Sequence, residues 1–277
     1  MGLFKQVSII GVGLIGGSLA KAIRKNNIAS CIVGFFRNKS KLKKAIRNKI
    51  VDKGFLELDK SVEGSELIII ALPISKILEF LPKIAKFAEP DSIITDVGST
   101  KLKIASLADK LNCHFVGSHP LAGSEKKGVE FSQANLFENS LVIITKTKKS
   151  KKEVVAKIIK FWQALKTKVI ITTPAEHDKT LAFTSHLPHL LAFSLINSIP
   201  PKYLPISSTG LKDTTRIAKS DALLWADIFL DNRDNLRKSI RLFENQLNKI
   251  SQLLNSNNRN HLIKLLNHAK NKRQIIS

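Results

Sequence analysis

The chain has 277 residues, and 45 Lys and Arg against 22 Asp and Glu give it a formal net charge of +23. A chain of this length buries a substantial core, and we expect two domains of ordinary size. The basic residues recur along the whole chain, are densest at 39–44 and 146–152, and are accompanied by one tyrosine. This distribution favours a solvated, lysine-rich surface over a nucleic-acid groove, although such a field attracts anionic substrates.

The two cysteines and the N-terminal apolar run indicate the compartment. Cys31 and Cys113 lie in or beside strand-like apolar runs, as small buried hydrophobic residues do, and do not indicate a disulfide framework or a metal site. The run from Val7 to Ile10 ends at Gly11 and is too short for a signal core or a membrane span. We therefore expect a cytoplasmic protein that binds no metal, no membrane and no nucleic acid.

A glycine-rich loop follows that first apolar run. The run predicts a short buried strand, and a helical pattern extends from the loop to about Arg24. A G-x-G-x-x-G sequence in this context is the fingerprint of a dinucleotide site, in which helix-start N–H groups hold a pyrophosphate. The predicted cofactor-binding residues here are Gly11, Gly13, Leu14, Ile15 and Gly16.

The end of the second predicted strand bears on the choice of cofactor. The run from Cys31 to Phe35 is followed by Phe36, at the position where an acidic residue usually binds the ribose hydroxyls. Arg37 comes next, and an arginine in this loop is suited to the 2′-phosphate of NADP. NADP is therefore favoured over NAD, although Arg37 as a plain surface charge is the alternative.

Two further strands end in candidate ligand contacts. The run from Leu67 to Ala71 is followed by Leu72 and Pro73, at the sheet edge where ligands of open α/β folds bind. The strand that ends at Asp96 runs into a turn containing Ser99. From its position, Ser99 is equally suited to cap the next helix and to contact a substrate or the nicotinamide.

His119 is the best candidate for a general base. Phe115 and Val116 predict the end of a strand, and Gly117 is expected to open a loop in which Pro120 fixes the direction of His119. An isolated loop histidine is usually just solvated. The other motifs of the chain shift the balance towards catalysis.

The chain changes character at Pro174. Before it, strand and helix patterns alternate, which predicts a doubly wound, Rossmann-type parallel sheet over residues 1–174. Residues 175–277 show long helical patterns, which predict an all-helical domain. Its apolar stripe has heptad-like spacing and packs against other helices or a second subunit; the stripe consists of Leu236, Ile240, Phe243, Leu247, Ile250 and Leu254.

Two segments of the helical half carry polar candidates. Pro188 in Ser185-His186-Leu187-Pro188-His189 is expected to kink its helix and re-aim nearby side chains, and a core histidine pair is the alternative. Arg216 has the planar fork that binds a carboxylate through two parallel hydrogen bonds, and a surface salt bridge is the alternative.

Five motifs occur in order along the chain: Gly11-x-Gly13-x-x-Gly16-Gly17-Ser18, Asp96-Val97-Gly98-Ser99-x-Lys101, Gly117-Ser118-His119-Pro120-Leu121-Ala122-Gly123-Ser124-Glu125, Ser185-His186-Leu187-Pro188-His189 and Lys212-Asp213-x-Thr215-Arg216. With these motifs the chain resembles the prephenate and arogenate dehydrogenases of tyrosine biosynthesis over nearly its whole length. Phe36 departs from the family pattern, as do Ser208 and Thr209, where relatives often have more glycines.

The resemblance implies a function and a set of roles. The expected reaction is NAD(P)-dependent oxidative decarboxylation of prephenate to 4-hydroxyphenylpyruvate, and the alternative is arogenate to tyrosine. His119 would accept the ring hydroxyl's proton or hydrogen bond, Ser99 would orient that hydroxyl, and Arg216 would bind a carboxylate. The helical domain would form a homodimer. The remaining pocket residues would be His189, Ser185, Ser124 and Glu125.

Three other classes of protein share some of these features. A nucleotide-binding regulatory protein could keep the fold without catalysis, but the presence of both His119 and Arg216 disfavours it. A nucleic-acid binder would show steeply salt-dependent binding without dehydrogenase activity. A dehydrogenase of β-hydroxyacids with the same two-domain plan is disfavoured by the segment from Ser185 to His189.

Overall fold

We describe the protein from a computed structural model that covers residues 2–123, 126 and 128–276. The chain forms two compact units, Met1–Asn232 and Arg233–Ser277. The first contains the sheet and the helices that follow it. The second consists of two helices and is described separately.

Among the described residues, eight strands form one sheet in the order β3-β2-β1-β4-β5-β6-β7-β8. Neighbouring strands are parallel except β6 and β7, which are antiparallel. The order reverses between β1 and β4, which is where the strand ends of a doubly wound sheet leave a crevice for ligands. The strands are β1 Phe4–Ile10, β2 Ala29–Phe35, β3 Lys53–Phe55, β4 Leu67–Ile70, β5 Ile93–Asp96, β6 His114–Pro120, β7 Leu141–Lys146 and β8 Lys168–Thr172.

Helices cover both faces of the central strands. Every residue of β4 is buried, as the unbroken apolar run predicted, because a strand with helices on both faces has no solvent side. The helices of this half are α1 Leu14–Lys25, α2 Lys39–Arg47, α3 Leu58–Val62, α4 Ile74–Phe87, α5 Leu102–Ala108 and α6 Lys152–Ala164. The predicted doubly wound sheet is confirmed.

The strand that carries His119 is longer than the sequence indicated. Gly117 does not open a loop: β6 continues to Pro120, and Val116 to Pro120 pair with β7. Pro120 has no N–H to donate, but it is the last paired residue of β6, so the pairing before it is not interrupted. The next N–H, from Leu121, donates to the Leu141 carbonyl at 2.8 Å. His119 is therefore held by a sheet ladder and not by a loop.

The segment after Thr173 is helical throughout its regular elements. The elements of the first unit here are α7 Pro174–Leu181, a π-helical turn Ala182–His186, α8 Leu187–Ser198, a 3-10 helix Pro201–Ile206, α9 Thr209–Thr215, a 3-10 helix Arg216–Lys219 and α10 Ala222–Asp231. The π-helical turn directly precedes α8, and Pro188 is the second residue of that helix. This irregular turn lies where the proline was expected to distort the helix.

Helix α10 packs against the end of the sheet domain. Trp225 and Ile228 form a small buried cluster with Ile74 at the start of α4. Polar contacts support the same arrangement, because the Thr100 hydroxyl donates to Asp231 Oδ2 at 2.6 Å. Side chains of the helical segment are thereby brought to the carboxyl edge of the sheet.

The second unit consists of α11 Arg233–Asn255 and α12 Arg259–Arg273. Within the single chain, Leu247 and Leu254 of the apolar stripe are 50% and 61% exposed. The division of the chain into domains at residue 174 stays a prediction. In the part of the chain that the structure describes, no helix combines the length and apolar character that crossing a bilayer requires.

Candidate active site

The glycine loop between β1 and α1 has the geometry of a phosphate cradle. Gly11 has φ +101°, and a Cβ there would lie 2.5 Å from the Ala71 carbonyl oxygen. A Cβ on Gly16 would lie 2.1 Å from the Gly11 carbonyl oxygen, whereas one on Gly13 would meet nothing within 4 Å. Gly11 and Gly16 therefore shape the turn, and Gly13 faces open space, as required where a pyrophosphate approaches the backbone.

An exposed arginine follows the end of β2. Phe36 is 6% exposed, and its ring packs over Gly34 and Gly54, so it offers the ribose no acceptor. Arg37 is exposed, and its guanidinium has no ion-pair or hydrogen-bond partner among the described residues. The Asn38 side chain accepts the N–H groups of Ser40 and Lys41 and so caps α2.

Leu72 and Pro73 lie at the same edge as the glycine loop. A Cβ on Gly11 would come within 2.7 Å of Leu72 Cδ2, which places the end of β4 against the loop. Pro73 is exposed and precedes α4. Both residues are thus available to line a cofactor in this crevice.

A buried ion pair lies at the end of β5. The Lys101 ammonium donates to Asp96 Oδ2, and the two side chains are 1% and 0% exposed. Burial raises the pKa of Asp96, while the Lys101 charge and the Gly98 N–H, which donates at 2.8 Å, oppose that rise. Asp96 Oδ1 has no partner among the described residues. A cation is therefore fixed below the end of β5.

A hydrogen-bonded chain of three side chains, His119, His177 and Asp178, lies beside this pair, and we call it the histidine chain. His119 Nδ1 lies 2.9 Å from His177 Nε2, and His177 Nδ1 lies 2.8 Å from Asp178 Oδ1. His119 is 8% exposed, and the other two are buried. Burial lowers the pKa of His119 well below 6.5, and His177, Lys101 and His186 lower it further. The residue predicted as a base is thus held neutral near pH 7.

The far end of the histidine chain is anchored in the protein. Asp178 accepts the backbone N–H groups of Lys101 and Leu102 at 2.8 and 2.9 Å, at the start of α5. Its backbone carbonyl accepts the Asn232 side-chain amide at 2.7 Å. The start of α5 is therefore capped by a residue of α7. Ser99, predicted as its possible cap, does not fill that role, because its side chain has no hydrogen-bond partner among the described residues.

His186 joins the histidine chain to the next group of side chains. Asn232 Nδ2 lies 3.1 Å from His186 Nδ1. Burial lowers the pKa of His186 to about 4, so it is neutral and carries its proton on Nε2. That nitrogen has no partner within the described part of the chain.

His189, Trp225 and Arg216 form a second group. The His189 ring stacks on Trp225 at 3.6 Å between centroids, and its Nδ1 donates to the Ser185 carbonyl at 2.9 Å. Burial lowers the pKa of His189, and the Arg216 charge adds to the effect. The 3-10 helix that begins with Arg216 contacts α8, the helix of His189. The exposed guanidinium therefore lies near an imidazole whose Nε2 is an acceptor.

Four of the seven predicted catalytic and substrate-binding residues lie in these two groups. His119 lies in the histidine chain, and His189, Ser185 and Arg216 lie in the second group. Ser99 is half-buried in the turn after Asp96. Ser124 and Glu125 lie outside the described residues.

The sequence interpretation missed His177, Asp178, Asn232 and Trp225, and it gave Lys101 no role. The available signal was the adjacent pair His177-Asp178 just after the predicted boundary at Pro174. A histidine next to a carboxylate is a common element of acid–base sites, and such a pair is worth testing in any dehydrogenase sequence.

Comparison with known proteins places the chain in a family. Residues 19–171 match the prephenate dehydrogenase nucleotide-binding domain, and residues 173–268 match the prephenate dehydrogenase dimerization domain. The chain is 36% identical to prephenate dehydrogenase of Lactococcus lactis subsp. cremoris (strain MG1363) over 258 residues, 89% of this chain and 70% of the relative.

Solved structures agree. The fold matches prephenate dehydrogenase from A. aeolicus in complex with hydroxyphenyl propionate and NAD+, with a TM-score of 0.92, 34% identity and coverage of 99% of this chain and 98% of that one. It matches Synechocystis arogenate dehydrogenase with a TM-score of 0.87, 28% identity and coverage of 98% and 100%. The chain belongs to the prephenate dehydrogenase family.

Proposed function

We propose that the protein is an NAD(P)-dependent dehydrogenase that converts prephenate to 4-hydroxyphenylpyruvate in the synthesis of tyrosine. The observation that carries the proposal is the neutral, buried His119 at the end of β6, in a sheet that carries the glycine loop after β1. A ring alcohol is oxidised when a base takes its proton and a nicotinamide takes its hydride. The chain matches both domains of the prephenate dehydrogenase family, and a relative that is 36% identical is named prephenate dehydrogenase.

The cofactor residues of this chain fit a dinucleotide. Gly11, Gly13 and Gly16 would receive the pyrophosphate, with Leu14 and Ile15 at the start of α1. Leu72 and Pro73 would line the crevice beyond it. When bound, the nicotinamide accepts the hydride from the ring carbon that bears the hydroxyl.

NADP is our proposed preference over NAD. Arg37 is free to bind a 2′-phosphate, and Phe36 removes the carboxylate that would repel one. The A. aeolicus relative was solved with NAD+. The measurement that distinguishes the two cofactors is therefore the change in KM for NADP and for NAD when Arg37 is replaced by alanine.

His119 would act on the substrate hydroxyl. Its Nδ1 faces His177, so its Nε2 is the nitrogen left for substrate. As the O–H proton moves to that nitrogen and the hydride leaves the ring carbon, a ring carbonyl forms. The ring carboxylate then departs as carbon dioxide, and its electron pair restores an aromatic ring with a phenolic oxygen. Ser99, in the turn after β5, would orient the hydroxyl.

The acid groups of the substrate need cations. Arg216 is exposed beside His189, and we propose that it binds a carboxylate through two parallel hydrogen bonds. Ser185 and His189 would line the same end of the pocket, and Ser124 and Glu125 complete our proposed set. Lys101 contributes a fixed positive charge near the reacting end.

We also propose a domain boundary at residue 174 and a homodimer. Residues 173–268 match a domain described as a dimerization domain, and apolar residues of α11 remain exposed within one chain. A second copy covering the stripe from Leu236 to Leu254 would bury them.

Arogenate is the second candidate substrate, because a relative of the same fold is named arogenate dehydrogenase. The test is to incubate purified protein with prephenate or arogenate, with NAD or NADP, and to identify the product by mass. We expect NADP-dependent 4-hydroxyphenylpyruvate. Tyrosine formed from arogenate with greater kcat/KM would reverse the substrate assignment. If the protein formed neither product from either substrate, the proposed function would be refuted.

A further inference from the structure

The histidine chain has one consistent arrangement of protons when both imidazoles are neutral. An ionised carboxylate accepts hydrogen bonds and donates none, so His177 Nδ1 must carry the proton directed at Asp178 Oδ1, 2.8 Å away. A neutral His177 then has a lone pair on Nε2. That lone pair must accept the Nδ1–H of His119 across the 2.9 Å contact.

The surroundings keep this arrangement in place. Asp178 cannot turn away, because it also accepts two backbone N–H groups at the start of α5. Burial lowers the pKa of both His119 and His177, which favours the neutral rings. Lys101 and His186 further lower the pKa of His119, while Asp178 and Asp96 raise the pKa of His177 without reversing the effect of burial and of the Lys101 charge.

We propose that His177, oriented by Asp178, is a positioning residue that fixes His119 as the Nδ1–H tautomer and leaves Nε2 unprotonated toward the substrate. The inference rests on the proposed function of His119 as a base. Without an acceptor at Nδ1, a neutral His119 is free to place its proton on Nε2. In that tautomer the nitrogen facing the hydroxyl donates a hydrogen bond and cannot accept a proton.

A spectroscopic measurement tests the tautomer without using activity. The chain has 7 histidines, and ¹⁵N-histidine labelling with long-range proton correlations separates protonated from unprotonated ring nitrogens in each. Loss of one signal set in His119→Asn assigns His119. We expect Nδ1 protonated and Nε2 unprotonated near pH 7.5. A proton on Nε2 of His119 in the wild type would overturn the proposal.

A matched pair of variants tests the consequence for catalysis. His177→Phe keeps a planar ring but removes the acceptor, whereas His177→Gln retains an amide oxygen at about the position of the Nε2 atom. Turnover should fall by about 10² to 10⁴ in His177→Phe, with KM nearly unchanged, and His177→Gln should recover most of it. The His119 tautomer should change in the first variant and not in the second.

The controls separate this proposal from the proposed function. Asp221 also caps a helix, accepting the Leu224 N–H at 2.6 Å, and Asp221→Asn should leave turnover unchanged. Equal turnover in folded His177→Phe and wild type, or a folded His177→Gln as slow as His177→Phe, would overturn the role of His177. A wild-type protein inactive on both substrates would refute the function, and the tautomer measurement would still decide the positioning.

Discussion

The buried histidines make the stability of this protein depend on pH, and His186 permits a quantitative prediction. Its pKa is lowered from 6.5 to about 4 by burial. As pH falls below 6.5, the unfolded chain binds a proton at this site and the folded chain does not, so stability falls. A shift of that size destabilises the fold by about 2 kcal/mol between pH 7 and 5, and by about 3 kcal/mol on reaching pH 4.

The perturbation is His186→Asn, which keeps an acceptor for the Asn232 amide and removes the titrating group. The assay is urea unfolding at fixed protein concentration, followed by circular dichroism at pH 7, 6 and 5. The variant should be less stable at pH 7 because of the cavity, but its unfolding free energy should decline by about 2 kcal/mol less than that of the wild type down to pH 5. Parallel curves for the two proteins would refute the assignment of His186 as a buried neutral histidine.

Three further predictions concern the site and the assembly. His119→Asn should lower kcat by about 10² to 10⁴, and it should abolish the fall in kcat with decreasing pH that the wild type shows below pH 6.5. Arg216→Ala should mainly raise the substrate KM. Normal turnover in His119→Asn would place the base elsewhere. Arg37→Ala should raise the KM for NADP by roughly tenfold to a hundredfold with little change for NAD, and equal effects would refute a 2′-phosphate contact. Lysines at Ile240 and Leu247 should give monomers or insoluble protein, whereas a wild type that is monomeric by light scattering at micromolar concentration would make the stripe intramolecular.

The sheet was predictable because its signals are local. The glycine loop requires a strand before it and a helix after it, and the Leu67–Ala71 run has the length and composition of a strand buried on both faces. The extent of β6 was not predictable in the same way. Gly117 and Pro120 usually mark loops, and their place in a strand depends on pairing with β7, which is not encoded near them.

The histidine chain shows why a functional site is harder to predict than the fold that holds it. His177 and Asp178 are neighbours in sequence, yet the first reaches His119, 58 residues away, and the second reaches Lys101, 77 residues away. Each partner is selected by the docking of α7 against both β6 and α5, and the local sequence carries no periodicity that specifies such docking. An isolated histidine such as His119 can be identified as a candidate base from its surroundings in the sequence. Which of its two ring nitrogens accepts a proton depends on a second residue, and only the fold brings that residue into contact with it.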